Sequence, residues 1–536
     1  MKTIKMLSMA VVALIMGACS NIDDPITDEV IVPEQSPEEI TVTATLDAMD
    51  DTSTRAFNGS TSNTVWKVDD EVAILFEYGE QQVKRVATVT EVDDSKRATI
   101  EFTIPAELPV TNCTLVYPAS AAKEDNTGVK AYADMFATQD GKLNDKYDVR
   151  VGTGSVWGAY DQGNQEMAPR RVKAEPGISA GSLTPQFTLF YFTAETLADH
   201  HSGSDPVGDP LHPSKLVISD GSGNVITTIN PEKADGAYPQ KFWAVLPPAS
   251  SGDVWWFEAT TDENQPYINK ATLRKDIKAG SKWDQYLFLA TFGDLMGSDG
   301  KFYLKENMMP SGVDPIGVIA YIGNDNFSEN GTTVDESTFV GHGLVLALKN
   351  AASDVKWSTL NTGVLEFGED AFVTKKDDLF RTTDVSGYSN TKTLATKSSY
   401  STDFATDYPA AHAAWTYTGL TAPTGTTGWF LPSAQQWVKI MEGLGELNES
   451  VIKWQTYFDS DHTCAGKWDE ALAKAGSGNY DSMSGQYLWY WSSSESAADD
   501  AAYLFVSSMT DSGLFWGRNT KNVSYVYDRV RPVLAF

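Results

Sequence analysis

Cysteine is scarce in this chain of 536 residues: there are three, Cys19, Cys113 and Cys464. Cys19 belongs to an N-terminal leader, and the other two lie far apart in sequence, so a disulfide framework is excluded although the chain reads as exported. Basic charge is also in deficit. Lys and Arg number 41 against 72 Asp and Glu, giving a formal net charge of −31. Such a surface repels phosphate backbones and anionic headgroups, which argues against a nucleic-acid partner. Of six histidines only His200, His201 and His212 cluster, in "ADHHSGSDPVGDPLHPS". That stretch reads as a polar loop, and no metal is expected there. No GxSxG, HExxH or Gly-rich phosphate loop occurs, and the carboxylates are too scattered to nominate a catalytic pair. The chain is therefore expected to be neither an enzyme nor a cofactor carrier. Helical periodicity of useful length is missing from roughly the first 300 residues.

What is present begins with the leader. "MKTIKMLSMAVVALIMGACS" places Lys2 and Lys5 before an apolar run and ends in small residues and Cys19. It has the form of a secretory signal, too short for a permanent membrane span. Gly17-Ala18-Cys19 resembles a lipobox, which makes Cys19 the expected lipidated residue, anchoring the chain to the outer membrane. Between Ser20 and Thr54 there are ten Asp and Glu and no Lys or Arg. Residues 20–39 carry Pro25, Pro33 and Pro37 and read as an acidic tether. From Ile40 a clean alternation follows. Ile40, Val42, Ala44 and Leu46 face one way and Thr41, Thr43 and Thr45 the other, the pattern of a half-buried β-strand. Arg55, in "DDTSTRAF", is the first basic residue after the leader.

Short β-rich runs continue to about residue 292, separated by Gly, Pro, Asp and Asn, with a hairpin signal in "ISDGSGNVI". That spacing predicts β-sandwiches, two in tandem, covering 40–180 and 181–292. Residues 293–315 read as a linker. A different grammar occupies 316–536, an α+β domain holding nine of the fifteen tryptophans. Its clearest helix is "LPSAQQWVKIMEGLGEL", where Ser433 and Gln436 form a capping box. Trp437, Ile440, Met441 and Leu444 fall on one helical face. "SSSES" reads as a turn-like polar run.

Two family resemblances follow. Residues 1 to about 292 resemble the fimbrillin family, the lipoprotein-derived pilins of Bacteroides-type pili. They do so through the lipobox, "ITVTATLDA" with "TRAF", "VWKVDDEVAILF", and "WAVLPPAS" with "ATLRKDIKAGSKWDQYLFL". Residues 316–536 resemble the Fibrobacter-type major paralogous domain, of C-type-lectin-like fold, through "GHGLVLALKNA", "GWFLPSAQQW", "YWSSSES" and "VRPVLAF". The fimbrillin resemblance implies a transthyretin-like fold for both sandwiches. It also implies cleavage between Arg55 and Ala56 by an Arg-specific protease, loss of the strand Ile40–Leu46, and insertion of a strand from another pilin subunit. "RVRPVLAF" reads as a core strand of the last domain, so the chain is expected to accept a strand without donating one, which places it at a pilus tip.

The second resemblance implies a display scaffold. The Glu-Pro-Asn, Gln-Pro-Asp and Trp-Asn-Asp tripeptides of calcium-dependent lectins are missing, and one cysteine provides no disulfide pair. Cysteine chemistry of the formylglycine-generating kind also finds no pair at Cys464. A glycan or host surface is the expected ligand, because sugars stack on aromatic faces and bond to polar rims. The candidates are Asp511, Trp516, Arg518, Asn519 and Tyr525. The competing reading is a non-polymerising outer-membrane surface lipoprotein that binds glycans or a host or partner protein.

Overall fold

The protein is described by a computed structural model. Described are residues 38–49 and 65–536, apart from 144–146, 162–171, 174, 199, 203–204, 234–237, 324–340, 361–373, 377–378, 382–384, 397–402, 453–456, 460–462, 486, 498–499, 507–512 and 524–527. Cys19, Arg55, Ala56, Asp511 and Tyr525, and nearly all of the expected tether, lie outside the described residues.

The first unit is built on one eight-stranded sheet rather than two separate sheets. Its strands are β1 (Glu39–Leu46), β2 (Glu71–Tyr78), β3 (Gln81–Val92), β4 (Ala98–Pro105) and β5 (Thr111–Tyr117). After β6 (Thr138–Gln139), which belongs elsewhere, β7 (Arg150–Trp157) and β8 (Gly177–Ala180) complete the path. The order is β1-β4-β3-β2-β5-β7-β8, with Thr184–Pro185 also pairing with β7. The sheet curls so that its two edges, β1 and β8, approach one another. Alternate residues of every strand thereby enclose one core, including Val42, Leu46, Val72, Ile74, Ile100, Phe102 and Leu115.

The second unit is a two-sheet sandwich. It contains β9 (Thr188–Thr196), β10 (Pro213–Asp220), β11 (Val225–Ile229), β12 (Lys241–Leu246), β13 (Val254–Thr261), β14 (Pro266–Thr272) and β15 (Lys282–Leu289). The sheets run β12-β9-β15 and β14-β13-β10-β11-β6. The β10–β11 hairpin forms where "ISDGSGNVI" predicts it. The Asp220 carboxylate accepts from the amides of Ser222 and Asn224, and Gly223 takes φ +79°.

The sandwich boundary does not fall at one point in the chain. β6 lies before residue 180, yet it pairs in parallel with β11. The Gln139 amide is the reason: it donates to Val245 O and Thr227 Oγ1 and accepts from Val245 N. A second apolar cluster, with Leu75, Val116, Phe136 and Val245, joins the two units.

The third unit starts earlier than expected. β16 (Leu295–Gly297) and β17 (Phe302–Tyr303) lie inside the stretch 293–315 read as a linker, and Leu295, Met296 and Phe302 are buried. With β18 (Pro315–Ile322), β19 (Gly343–Ala347) and β26 (Val533–Ala535) they form a five-stranded sheet, β17-β16-β18-β19-β26. A six-stranded sheet runs β20-β25-β22-β23-β24-β21. Its members are β20 (Ala352–Ser353), β21 (Tyr457–Phe458), β22 (Leu488–Glu495), β23 (Asp500–Val506), β24 (Leu514–Thr520) and β25 (Asp528–Val530). Helices α1 (Gly387–Thr396), α2 (Pro409–Trp415), α3 (Ala434–Gly443) and α4 (Thr463–Ala473) are built into this unit.

α3 carries the anticipated capping box. Ser433 Oγ accepts from Gln436 N, and the Gln436 side chain accepts from Ser433 N. Trp437, Ile440, Met441 and Leu444 are all buried. "SSSES" is not a turn: Ser492, Ser493 and Ser494 lie wholly buried within β22. Ser492 Oγ donates to Ala502 O, Ser493 Oγ accepts from the Asn390 amide, and Ser494 Oγ accepts from Ala434 N. The serines thus satisfy backbone and amide groups that two helices bring into the core.

Candidate functional site

β1 begins as a sequence pattern and ends as an edge. Its threonines face outward and are exposed, Val42 and Leu46 are buried, and Ile40 and Ala44 are half-buried. Among the described residues it pairs with β4 alone, antiparallel, from Glu39 opposite Pro105 to Leu46 opposite Ala98. The inward-facing pairs are Ile40–Ile104, Val42–Phe102, Ala44–Ile100 and Leu46–Ala98. Large meets small at the last two, so the floor under β1 is shaped as well as apolar. On its other side β1 approaches β8, whose Ile178 and Ala180 pack on the same core, but the two strands share no ladder.

Both ends of β1 are tied. Ala106 N donates to Glu38 O at 2.7 Å, and Arg85 Nη2 reaches Glu39 Oε1 at 2.5 Å. Trp66 Nε1 donates to Asp47 O at 3.0 Å, and Met49 is buried. Trp66 in turn packs edge-on against Tyr117, with ring centroids 5.2 Å apart. The free thiol of Cys113 sits in this core, and burial pushes its pKa up to about 11.

The candidates in the C-terminal unit are not brought together as a surface. Trp516 is fully buried, in one cluster with Trp437 and Trp468, and cannot offer its face to a sugar. The cause is the strand period: Leu514 and Trp516, two residues apart on β24, share its inward face, and that face reaches the surface only at Arg518, toward the end of the strand. Arg518 Nε lies 3.5 Å from Asp500 Oδ2, a partner that sequence reasoning missed. Asn519 is half-buried, and its Oδ1 accepts from Thr520 N.

The stretch after Arg531 is held on both sides. Val533 and Phe430 exchange backbone hydrogen bonds, β26 pairs with β19, and His342 N donates to Phe536 O at 2.6 Å. His342 itself is buried between two units. Its ring stacks on Trp256 with centroids 4.0 Å apart, and its Nδ1 lies 2.5 Å from Glu258 Oε1 on β13. Among the described residues no group of three His, Cys, Asp or Glu side chains is placed to hold a metal ion. No helix among them is long and apolar enough to cross a membrane.

No family model and no curated protein matches the chain. Among solved structures it is similar to a fimbrial protein from Bacteroides ovatus. The identity is 15%, over 88% of this chain and 95% of that one, with a TM-score of 0.31. A proposed adhesin from the same organism is similar at 10% identity over 51% of this chain and 95% of that one, with a TM-score of 0.20. Likenesses at these TM-scores support no statement about the fold or role of this chain.

Proposed function

We propose that this chain is a surface pilus subunit in which β1 is a removable plug. The supporting observation is the position of β1, an eight-residue strand with one ladder partner, lying over a shaped apolar floor. Cleavage between Arg55 and Ala56 leaves it held by that ladder, by side-chain burial and by the end contacts of Glu39 with Arg85 and of Asp47 O with Trp66. Full burial of Val42 and Leu46 contributes about 1.5–3 kcal/mol each. Its departure exposes Ile100, Phe102 and Ile104 and leaves β4 paired with β3 alone, with one edge open, both costly states. A strand supplied by a neighbouring subunit restores both.

The chain reaches the outer membrane as a lipoprotein through Cys19, and processing releases it into the fibre. Val533–Phe536 is committed to its own domain, which favours an acceptor over a donor and hence a tip position. The C-terminal unit is a lectin-like adhesive head toward a glycan or host surface, with Arg518 and Asn519 as the remaining exposed or half-buried candidates.

N-terminal sequencing and immunogold labelling of sheared pili test this reading. A start at Ala56 and label at fibre ends are expected; label along the whole shaft sinks the tip assignment. One observation favours the second reading, a surface lipoprotein that never polymerises: with β1 in place the first sheet is complete without a partner. A lipidated Cys19 on the mature protein, with none of it in pili, would establish that alternative.

A further inference from the structure

A cavity of about 310 Å³ opens at one end of the second sandwich, where the ends of β10, β11, β12 and β13 converge. It is lined by His212, Gln240 and Thr261 among others. Each of the three carries a buried polar atom with no hydrogen-bonding partner among the described residues: His212 Nδ1, Gln240 Oε1 and Thr261 Oγ1. Native proteins leave few such atoms, and each calls for an explanation. Here all three belong to residues that line one cavity.

The local structure fixes the orientations. Gln240 Nε2 donates to Glu232 O at 2.7 Å, so a flipped amide would set oxygen against oxygen, and Oε1 is held away from that contact. The backbone of Thr261 is already used, its N–H on Gln265 O and its carbonyl by Asn264 N, so only the hydroxyl is spare. Pro213 stands opposite Thr261 in the β10–β13 ladder, which sets His212 beside it.

The chemistry of the lining selects the ligand. A metal ion is poorly served, because the carboxylates present, Asp262 and Glu263, are exposed and Asp262 is paired with Lys233 at 2.7 Å. An anion would find that same lysine already neutralised, beside two carboxylates. Gln240 Oε1 can only accept, whereas the threonine hydroxyl and the imidazole nitrogen can each serve as donor or acceptor. Hydroxyl groups, which donate and accept, satisfy all three. Of the remaining walls, Pro210, Leu211, Pro213 and Pro231 are apolar, suited to the C–H faces of a ring, and Ser214 already donates its hydroxyl to Thr260 O. The volume lies at the small end of ligand sites.

We propose that this cavity binds a neutral polyhydroxylated ring of monosaccharide size, separately from any site in the C-terminal unit. The test is saturation-transfer NMR on the full chain with methyl glycosides of glucose, galactose, mannose and N-acetylglucosamine. At least one glycoside is expected to receive transfer. Thr261→Val, which removes one hydroxyl at nearly constant shape, should weaken it about tenfold with an unchanged melting temperature. Gln240→Leu should do the same if it folds. Arg518→Ala with Asn519→Ala should leave it unaltered, which separates this site from the head. No transfer to any of the four, or transfer indifferent to Thr261→Val, overturns the proposal and leaves the three atoms to ordered water.

Discussion

If β1 is a plug, it must open without the rest of its sheet. Leu46→Ala tests this. Leu46 is 3% exposed and sits opposite Ala98, where no larger neighbour can swing in to refill the space. Leucine-to-alanine changes in cores cost about 2–5 kcal/mol, and an edge position, where water can reach the gap, argues for the lower part, about 2–3 kcal/mol. That cost falls on every state in which β1 is docked and on none in which it is detached. At 1.4 kcal/mol per factor of ten, the detached population rises about 30- to 150-fold. Hydrogen–deuterium exchange read by mass spectrometry on the full chain measures it directly. Peptides covering Glu39–Leu46 should exchange faster by that factor while those covering Glu71–Tyr78 in β2 keep their rate. Equal acceleration of both would mean that β1 opens only with the whole sheet. Unchanged exchange in β1 would mean that Leu46 does not hold it. Either result refutes the plug.

Two further outcomes follow from buried chemistry. Lys521 pairs with Glu495, both nearly inaccessible, and lies 4.9 Å from the centroid of the Trp357 ring. Lys521→Met should therefore lower stability by about 3–5 kcal/mol, read by denaturant unfolding, because it strands a buried carboxylate. The double variant with Glu495→Gln should recover part of the loss. Cys113 has its pKa raised in the folded state from 9.0 to about 11. Its contribution is fully present below pH 9 and is lost as pH rises to 11, because the unfolded chain releases the proton first. Iodoacetamide at pH 8 should leave native Cys113 unlabelled and modify it once the chain is unfolded.

The parts of the fold legible in the sequence are those where one segment carries its own instructions. The alternation Ile40-Val42-Ala44-Leu46 specifies a strand with one buried face. Ser433, Gln436 and the Trp437-Ile440-Met441-Leu444 stripe specify a capped amphipathic helix. What escaped were features decided by distant partners. β16 and β17 are three and two residues long, too short for any period, and only their pairing with β18 makes them strands. Ser492–Ser494 look like surface residues because their partners, Asn390, Ala434 and Ala502, lie far off or on another element. Thr138–Gln139 joins the second sandwich through hydrogen bonds to Thr227 and Val245. Trp516 reads as a sugar-stacking candidate beside Arg518 and Asn519, yet its own position within β24 turns it inward. Nothing local marks His212, Gln240 and Thr261 as a group, since three separate strand ends bring them together.

The sheet β17-β16-β18-β19-β26 takes its strands from Leu295 to Ala535. A chain that folds as it is made from its N-terminus can close the first sheet once Pro185 has emerged, whereas the last unit waits for Val533–Ala535. Throughout that interval Leu344 and Leu346 have β18 on one side and lack β26 on the other. The order of emergence therefore makes the last unit the latest of the three to complete its sheets, with an apolar strand edge open in the meantime.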